Sequence, residues 1–272
     1  MASTATFLNP NIVRLELLAN NHNIGTATGF FLKWQDDWYL VTNWHVFSGR
    51  EPSTDQPKHS TCAVPDTCRY TVVGLNGESL TWTTFELSLG SADDQSARWF
   101  QHPVLGQDCD IAAIPVEIET IGYAKNLLDE GGHDPEMLID LGGELFLPGF
   151  PLGLSSNGSM AIWKRASLAS SLEFGHGISH FFYVDTATRE GMSGAPCLAI
   201  SNWRHYSLDR DTGIAKIIER PLSWCLLGVY SGRRNPSDGF EAQIGIVWRE
   251  NLIYDIMTAK KIGSATLRSL HK

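Results

Sequence analysis

The sequence predicts an all-β protein of antiparallel barrels with one short helix at its C-terminal end. Three observations carry this. Short runs rich in Val, Ile, Phe, Tyr, Trp and Thr, bounded by turn residues, recur along the chain: Ile12–Leu18, Thr28–Trp34, Trp38–Thr42, Tyr70–Val73, Ser79–Leu87, Ile111–Val116, Glu144–Leu147, Phe181–Val184, Cys225–Tyr230 and Ala242–Val247. Helical periodicity is scarce. It is best from Asn251 to about Lys261, where Leu252, Ile253, Ile256 and Met257 share one face. No internal repeat or low-complexity tract interrupts the pattern, and many short strands with few helices read as barrels.

Taken in order, the elements divide the chain in two. Glu117 to Glu130 contains no proline and only Gly122 as a breaker, so no linker lies inside it. The Gly- and Asp-rich stretch Asp129–Asp134 marks the boundary. A first barrel over residues 1–130 and a second over 131–272, with the helix at about 250–261, are expected. Asn202 to Arg220 is a polar insertion, a hairpin or a loop, and Pro221 breaks the chain before the Cys225 strand.

Composition narrows the function classes. Of 272 residues, 43% are hydrophobic and 19% charged, enough for a real core and too few charges for wholesale disorder. A net charge of −9 without a Lys/Arg cluster argues against a nucleic-acid partner. Met1–Leu18 lacks the basic start and apolar run of a signal peptide, and no stretch approaches the roughly 18 apolar residues of a membrane span. Five scattered cysteines, an odd number, fit a reducing compartment, so a cytoplasmic protein is expected.

Acyl transfer at a peptide needs an activated hydroxyl, a base, a group that orients the base, and donors for the developing oxyanion. The sequence offers a candidate for each. Tyr39-Leu40-Val41-Thr42-Asn43-Trp44-His45-Val46 is a β-run that ends in a histidine, placing His45 at a strand end. In Asp108-Cys109-Asp110-Ile111-Ala112-Ala113-Ile114 an acid leads into an apolar strand. Asp110 abuts the strand directly and is preferred to Asp108. Gly191-Met192-Ser193-Gly194-Ala195-Pro196 flanks a serine with glycines, which permits a tight turn that aims the amides of Gly191 and Ser193 at one point. Each piece alone is an ordinary structural histidine, turn aspartate or Gly/Ser turn. Together, in the order His, Asp, Ser and each beside its own strand, they fill every role with His45 as base, Asp110 as orienter and Ser193 as nucleophile. Such chemistry needs no cofactor and no metal, and its partner is a protein or peptide substrate.

YLVTNWHVF, DCDIAAIPV and GMSGAPC resemble the three motif blocks of trypsin-like serine peptidases, nearest to the HtrA-like (Deg) branch. Leu147-Pro148-Gly149-Phe150-Pro151-Leu152-Gly153-Leu154 resembles the glycine-rich loop of that branch. The resemblance covers roughly residues 12 to 258. It implies a chymotrypsin-like pair of perpendicular six-stranded β-barrels with the site between them, and a serine endopeptidase activity. Three departures stand out. No PDZ domain is expected after the protease domain. Ala195 replaces a glycine of the family motif, and no cysteine lies near His45. Met192 stands where secreted trypsins carry an acid that pairs with a freed amine, so the oxyanion turn must be ordered by its own loop contacts or by a partner protein. The resemblance places the primary specificity pocket at Ala187, six residues before Ser193, with walls from Ser231, Gly232 and Gly245. An apolar floor and two glycines imply an open slot for Leu, Phe, Met or Val. The alternative is an acidic residue held by Arg189, Arg233 or Arg234.

Three further features carry less. His59, Cys62 and Cys68 supply three ligands where zinc needs about four, so free thiols are expected. His176 and His180 share i,i+4 spacing without a metalloprotease glutamate. Cys197 and Cys225 are expected as buried free thiols on neighbouring strands.

Overall fold

The computed structural model describes residues 8–76, 79–90, 96–129, 131–172, 179–233 and 243–264. His176, Arg234 and the predicted strand start at Ala242 lie outside them. The first half contains β1 (Ile12–Ala19), β2 (His22–Trp34), β3 (Asp37–Thr42), α1 (Trp44–Ser48), β4 (Thr67–Asn76), β5 (Ser79–Ser88), β6 (Phe100–Gln101) and β7 (Ala112–Val116). The second contains β8 (Glu144–Gly149), β9 (Ile162–Leu168), β10 (Phe181–Asp185), β11 (Pro196–Ser201), β12 (Arg204–Leu208), β13 (Ala215–Glu219), β14 (Ser223–Arg233), β15 (Ile244–Arg249) and α2 (Asn251–Ala259).

The first half is one antiparallel sheet of seven strands in the order β5-β4-β1-β2-β3-β7-β6. The β1–β2 hairpin turns on Asn20 and Asn21 at φ 49° and 63°, the left-handed conformation that asparagine tolerates and that matches strand twist. A closed six-stranded barrel is expected here; among the described residues this sheet carries no ladder that joins its end strands β5 and β6. The β6 edge has its own partner. The strand is two residues long, Phe100 bridges to Ile262, and the Gln101 amide donates to Lys261 O at 2.9 Å. The chain beyond α2 therefore runs along the β6 edge of the sheet.

The second half does close, as a six-stranded barrel in the order β10-β15-β14-β11-β8-β9. The closing pair is short, Val184 opposite Leu168 and Asp185 opposite Ser167. The polar insertion forms a separate hairpin of β12 and β13.

Each half has its own apolar cluster, and a third joins them. Val13, Leu15, Phe31, Leu40, Trp44 and Tyr70 fill the first. Leu145, Leu147, Val184, Met192, Cys197 and Val247 fill the second. The third sets Phe30 and Tyr39 against Phe150, Leu198 and Trp224, and α2 adds Leu252, Ile253, Ile256 and Met257. Burying side chains of this size stabilises by about 1.5–3 kcal/mol each before entropy is counted. Trp34 of β2 stacks on Tyr254 of α2 with centroids 4.8 Å apart, so the C-terminal helix straps the second half to the first.

Candidate active site

The site is assembled from loops that both halves present to one cleft. β3 ends at Thr42, and the predicted strand-end position of His45 is corrected: the imidazole sits in the first turn of α1, behind Asn43 in extended backbone. Asn43 Nδ2 donates to the Asp110 carbonyl at 2.7 Å and ties α1 to the segment entering β7. Asp110 is buried, 4% exposed, whereas Asp108 lies at the surface.

Asp110 is saturated with donors. His45 Nδ1 lies 2.7 Å from Oδ2, the His45 backbone amide donates to Oδ1 at 2.9 Å, and the Ser231 hydroxyl donates to Oδ2. Burial alone would raise the carboxyl's pKa. The charge of His45, together with hydrogen bonds from its ring, from Ser231 and from its amide, outweighs burial and holds the group below the usual carboxylate range. An ionised Asp110 fixes the proton on Nδ1 and leaves Nε2 as the acceptor.

His45 and Ser193 line the same cleft, of ≈ 460 Å³, with Leu17, Ile24, Ala27, Val46, Lys58, His59 and Glu190 around it. The serine lies half-buried between Gly191 and Gly194, at φ 89° and 87°. Neither glycine admits a side chain. A Cβ on Gly191 would lie 2.2 Å from Phe150 O, and one on Gly194 2.1 Å from Thr28 O.

The turn around Ser193 is held from three sides. The Leu152 amide donates to Glu190 O at 2.7 Å, and Leu152 itself is left-handed at φ 55°. The Glu190 carbonyl and the Gly191 N–H belong to one trans peptide and point oppositely. Pinning the carbonyl on the 150–154 turn therefore turns the Gly191 N–H the other way. Thr28 Oγ1 donates to Gly191 O at 2.7 Å and accepts from the Phe150 amide at 3.1 Å, and the Thr28 amide donates to Ser193 O at 2.8 Å. Among the described residues neither the Gly191 nor the Ser193 amide donates to a backbone carbonyl. Met192 points the other way, wholly buried in the second cluster.

The pocket residues fare differently. Ser231 and Gly232 are half-buried beside the site, Gly245 is buried, and Ala187, expected at the base of the pocket, is exposed. Thr186 and Thr188, just beyond the end of β10, are buried there instead. His59 lines the cleft and bonds Thr61 at 2.8 Å, while Cys68 is buried in β4 and Cys62 is exposed, so the three do not converge. Sequence reasoning missed Thr28, Asn43 and Leu152. Asn43 lies inside the His45 motif and Leu152 inside the 147–154 glycine-rich stretch, whose turn holds Glu190, while Thr28 reads only as the start of a strand.

The family described as a trypsin-like peptidase domain matches residues 27–206. Among solved structures the chain is similar to the crystal structure of the serine endoprotease from Yersinia pestis, at 13% identity and a TM-score of 0.45, over 95% of this chain and 67% of that one. No curated protein matches. The family match spans more than half of the chain and includes His45, Asp110 and Ser193, and on it the chain belongs to the trypsin-like peptidase domain family.

Proposed function

We propose that this chain is a serine endopeptidase that works through an acyl-enzyme at Ser193, with selective intracellular processing as its role. The observation that carries the reading is the buried Asp110, bonded at once to His45 Nδ1, the His45 amide and Ser231, with His45 and Ser193 facing one cleft. In the first step Ser193 Oγ attacks the scissile carbonyl carbon while His45 Nε2 takes the hydroxyl proton. The oxyanion accepts from the Gly191 and Ser193 amides, each such donor being worth about 3–4 kcal/mol. The tetrahedral adduct then expels the amine, which leaves with the proton from Nε2. Water repeats the sequence on the ester and frees Ser193. Five free cysteines, four of them buried, support a reducing setting.

A fluorophosphonate probe should label the wild type and not Ser193→Ala. Peptide hydrolysis by Ser193→Ala should fall about 10⁴- to 10⁶-fold with the fold retained. A wild type that takes no label would instead be a binding module on a peptidase fold.

A further inference from the structure

The resemblance to trypsin-like peptidases puts the residue on the acyl side of the scissile bond into a space bounded by three segments. These are residues 186–190 before the nucleophile turn, Tyr230–Gly232 beside it, and Ile244–Ile246 of β15. The backbone ties them tightly: Gly194 N donates to Tyr230 O at 2.9 Å, Tyr230 N to Ala195 O at 2.8 Å, and Thr186 N to Gln243 O at 2.9 Å. Gly245 sits opposite Val184 on one side and Arg233 on the other. The glycines at 232 and 245 implied an open slot. The structure fills it from within.

The filling group is Tyr230, 1% exposed. Its phenol is hydrogen-bonded to the hydroxyl of Thr188, itself 1% exposed. A Cβ on Gly245 would lie 2.5 Å from Tyr230 Cε2 and 3.2 Å from its hydroxyl, with Val184 Cγ2 also at 3.2 Å. The missing side chain of Gly245 therefore makes room for the tyrosine ring rather than for a substrate. The ring is anchored at both ends, by the Ala195 and Gly194 backbone bonds at its root and by Thr188 at its tip. Swinging it out would leave buried hydroxyls unpaired.

We propose that Tyr230 is a specificity-determining residue that occupies the primary slot and restricts the acyl-side residue to one no larger than valine. This rests on the serine-peptidase reading above and replaces the open slot for Leu, Phe and Met. Volume is the mechanism: a close-packed wall rejects added methylenes steeply, while a small side chain needs only the space between Tyr230 and the open face at Gly232. Among the described residues no atom would meet a Cβ on Gly232 within 4 Å, so of these residues Tyr230 fills the slot at depth and none crowds its mouth at Gly232.

The test is a set of matched peptides that differ only at the acyl-side residue, Ala, Val, Leu, Phe, Lys or Asp. Wild type should show kcat/KM for Ala or Val about 10²-fold above Leu or Phe. Tyr230→Ala should reverse the order in favour of Phe. Tyr230→Phe, which keeps the ring and loses the Thr188 bond, should stay selective for small residues. If Tyr230→Ala does not fold by circular dichroism, the wild-type and Tyr230→Phe profiles decide. A wild type that prefers Leu, Phe, Lys or Asp overturns the proposal, as does a folded Tyr230→Ala with unchanged order. Fluorophosphonate labelling in parallel separates the two readings. Labelled protein with the wrong order removes the slot proposal alone, and unlabelled wild type removes the peptidase reading and the slot with it.

Discussion

Thr28 sits in the middle of β2, yet all its polar atoms are spent on the site. Its hydroxyl bridges the Phe150 amide and Gly191 O, its amide holds Ser193 O, and its carbonyl accepts from Thr42 Oγ1 at 2.7 Å. Thr28→Val keeps the shape and removes the bridge, leaving two buried backbone groups unpaired at about 1–3 kcal/mol each. As a positioning residue, Thr28 should act on kcat more than on KM. We expect kcat to fall roughly 10- to 100-fold in Thr28→Val, the range of a misplaced oxyanion donor. Thr28→Ser should recover most of the loss, and equal damage in both variants would reduce Thr28 to packing. Asp110 makes a second case. Asp110→Asn should cost about 10⁴-fold in turnover by favouring the wrong imidazole tautomer, and Asp108→Asn should be mild. Asp110 also links stability to pH. Its folded pKa is depressed, so folding favours the carboxylate, and that stabilisation is complete above about pH 4 and lost as acid takes the pH down through the folded value. Denaturant melts should therefore show the wild type's advantage over Asp110→Asn shrinking from pH 7 to pH 3. An advantage that grows toward acid would show the carboxyl to be raised instead.

Elements differ in how openly the sequence announces them. β1 was legible because its apolar Val13 and Leu15 alternate with Arg14 and Glu16, and α2 because four apolar residues share a face. β11 opens on Pro196, which reads against a strand, and β9 carries Lys164 and Arg165 mid-run, so neither was named. β12 and β13 are exposed along much of their length and form a hairpin whose one further backbone neighbour among the described residues is the short segment 136–138, so little buried face imposes an apolar pattern on their sequences. α1 is five residues long, with no side-chain cap at its start, too short for any periodicity to show. The three chemical residues were readable because each sits in a local motif. Their supports were not, since Asn43 reaches 67 residues along the chain to Asp110, and Thr28 reaches 163 to Gly191. Tyr230 shows the same limit from the other side. The glycines around it read as space, and only the packing of β14 against β15 reveals what occupies that space.

At the scale of the whole molecule, the cysteines are natural reporters of how the two halves hold together. Cys68 lies in the apolar cluster of the first half, Cys197 and Cys225 in that of the second barrel, and Cys109 in the cluster that joins them. Burial raises all four thiols, Cys68 to about 12, so little of the reactive thiolate exists at neutral pH, and the reagent is sterically excluded as well. Cys62 alone is exposed. A thiol reagent such as DTNB should therefore titrate one cysteine in the native protein and none in Cys62→Ser. The joining cluster draws on β2, β3, β11, β14 and α2 together, so neither half can open without exposing apolar surface of the other. In the Cys62→Ser background the remaining thiols should become reactive at one common denaturant midpoint, the mark of a single cooperative transition. If Cys68 reacts at lower denaturant than Cys197 and Cys225, the seven-stranded sheet opens on its own. The shared cluster would then be too weak to couple the halves. That outcome would also bear on the site, because Thr28 in the opened sheet would release Gly191 and Ser193 before the second barrel unfolds.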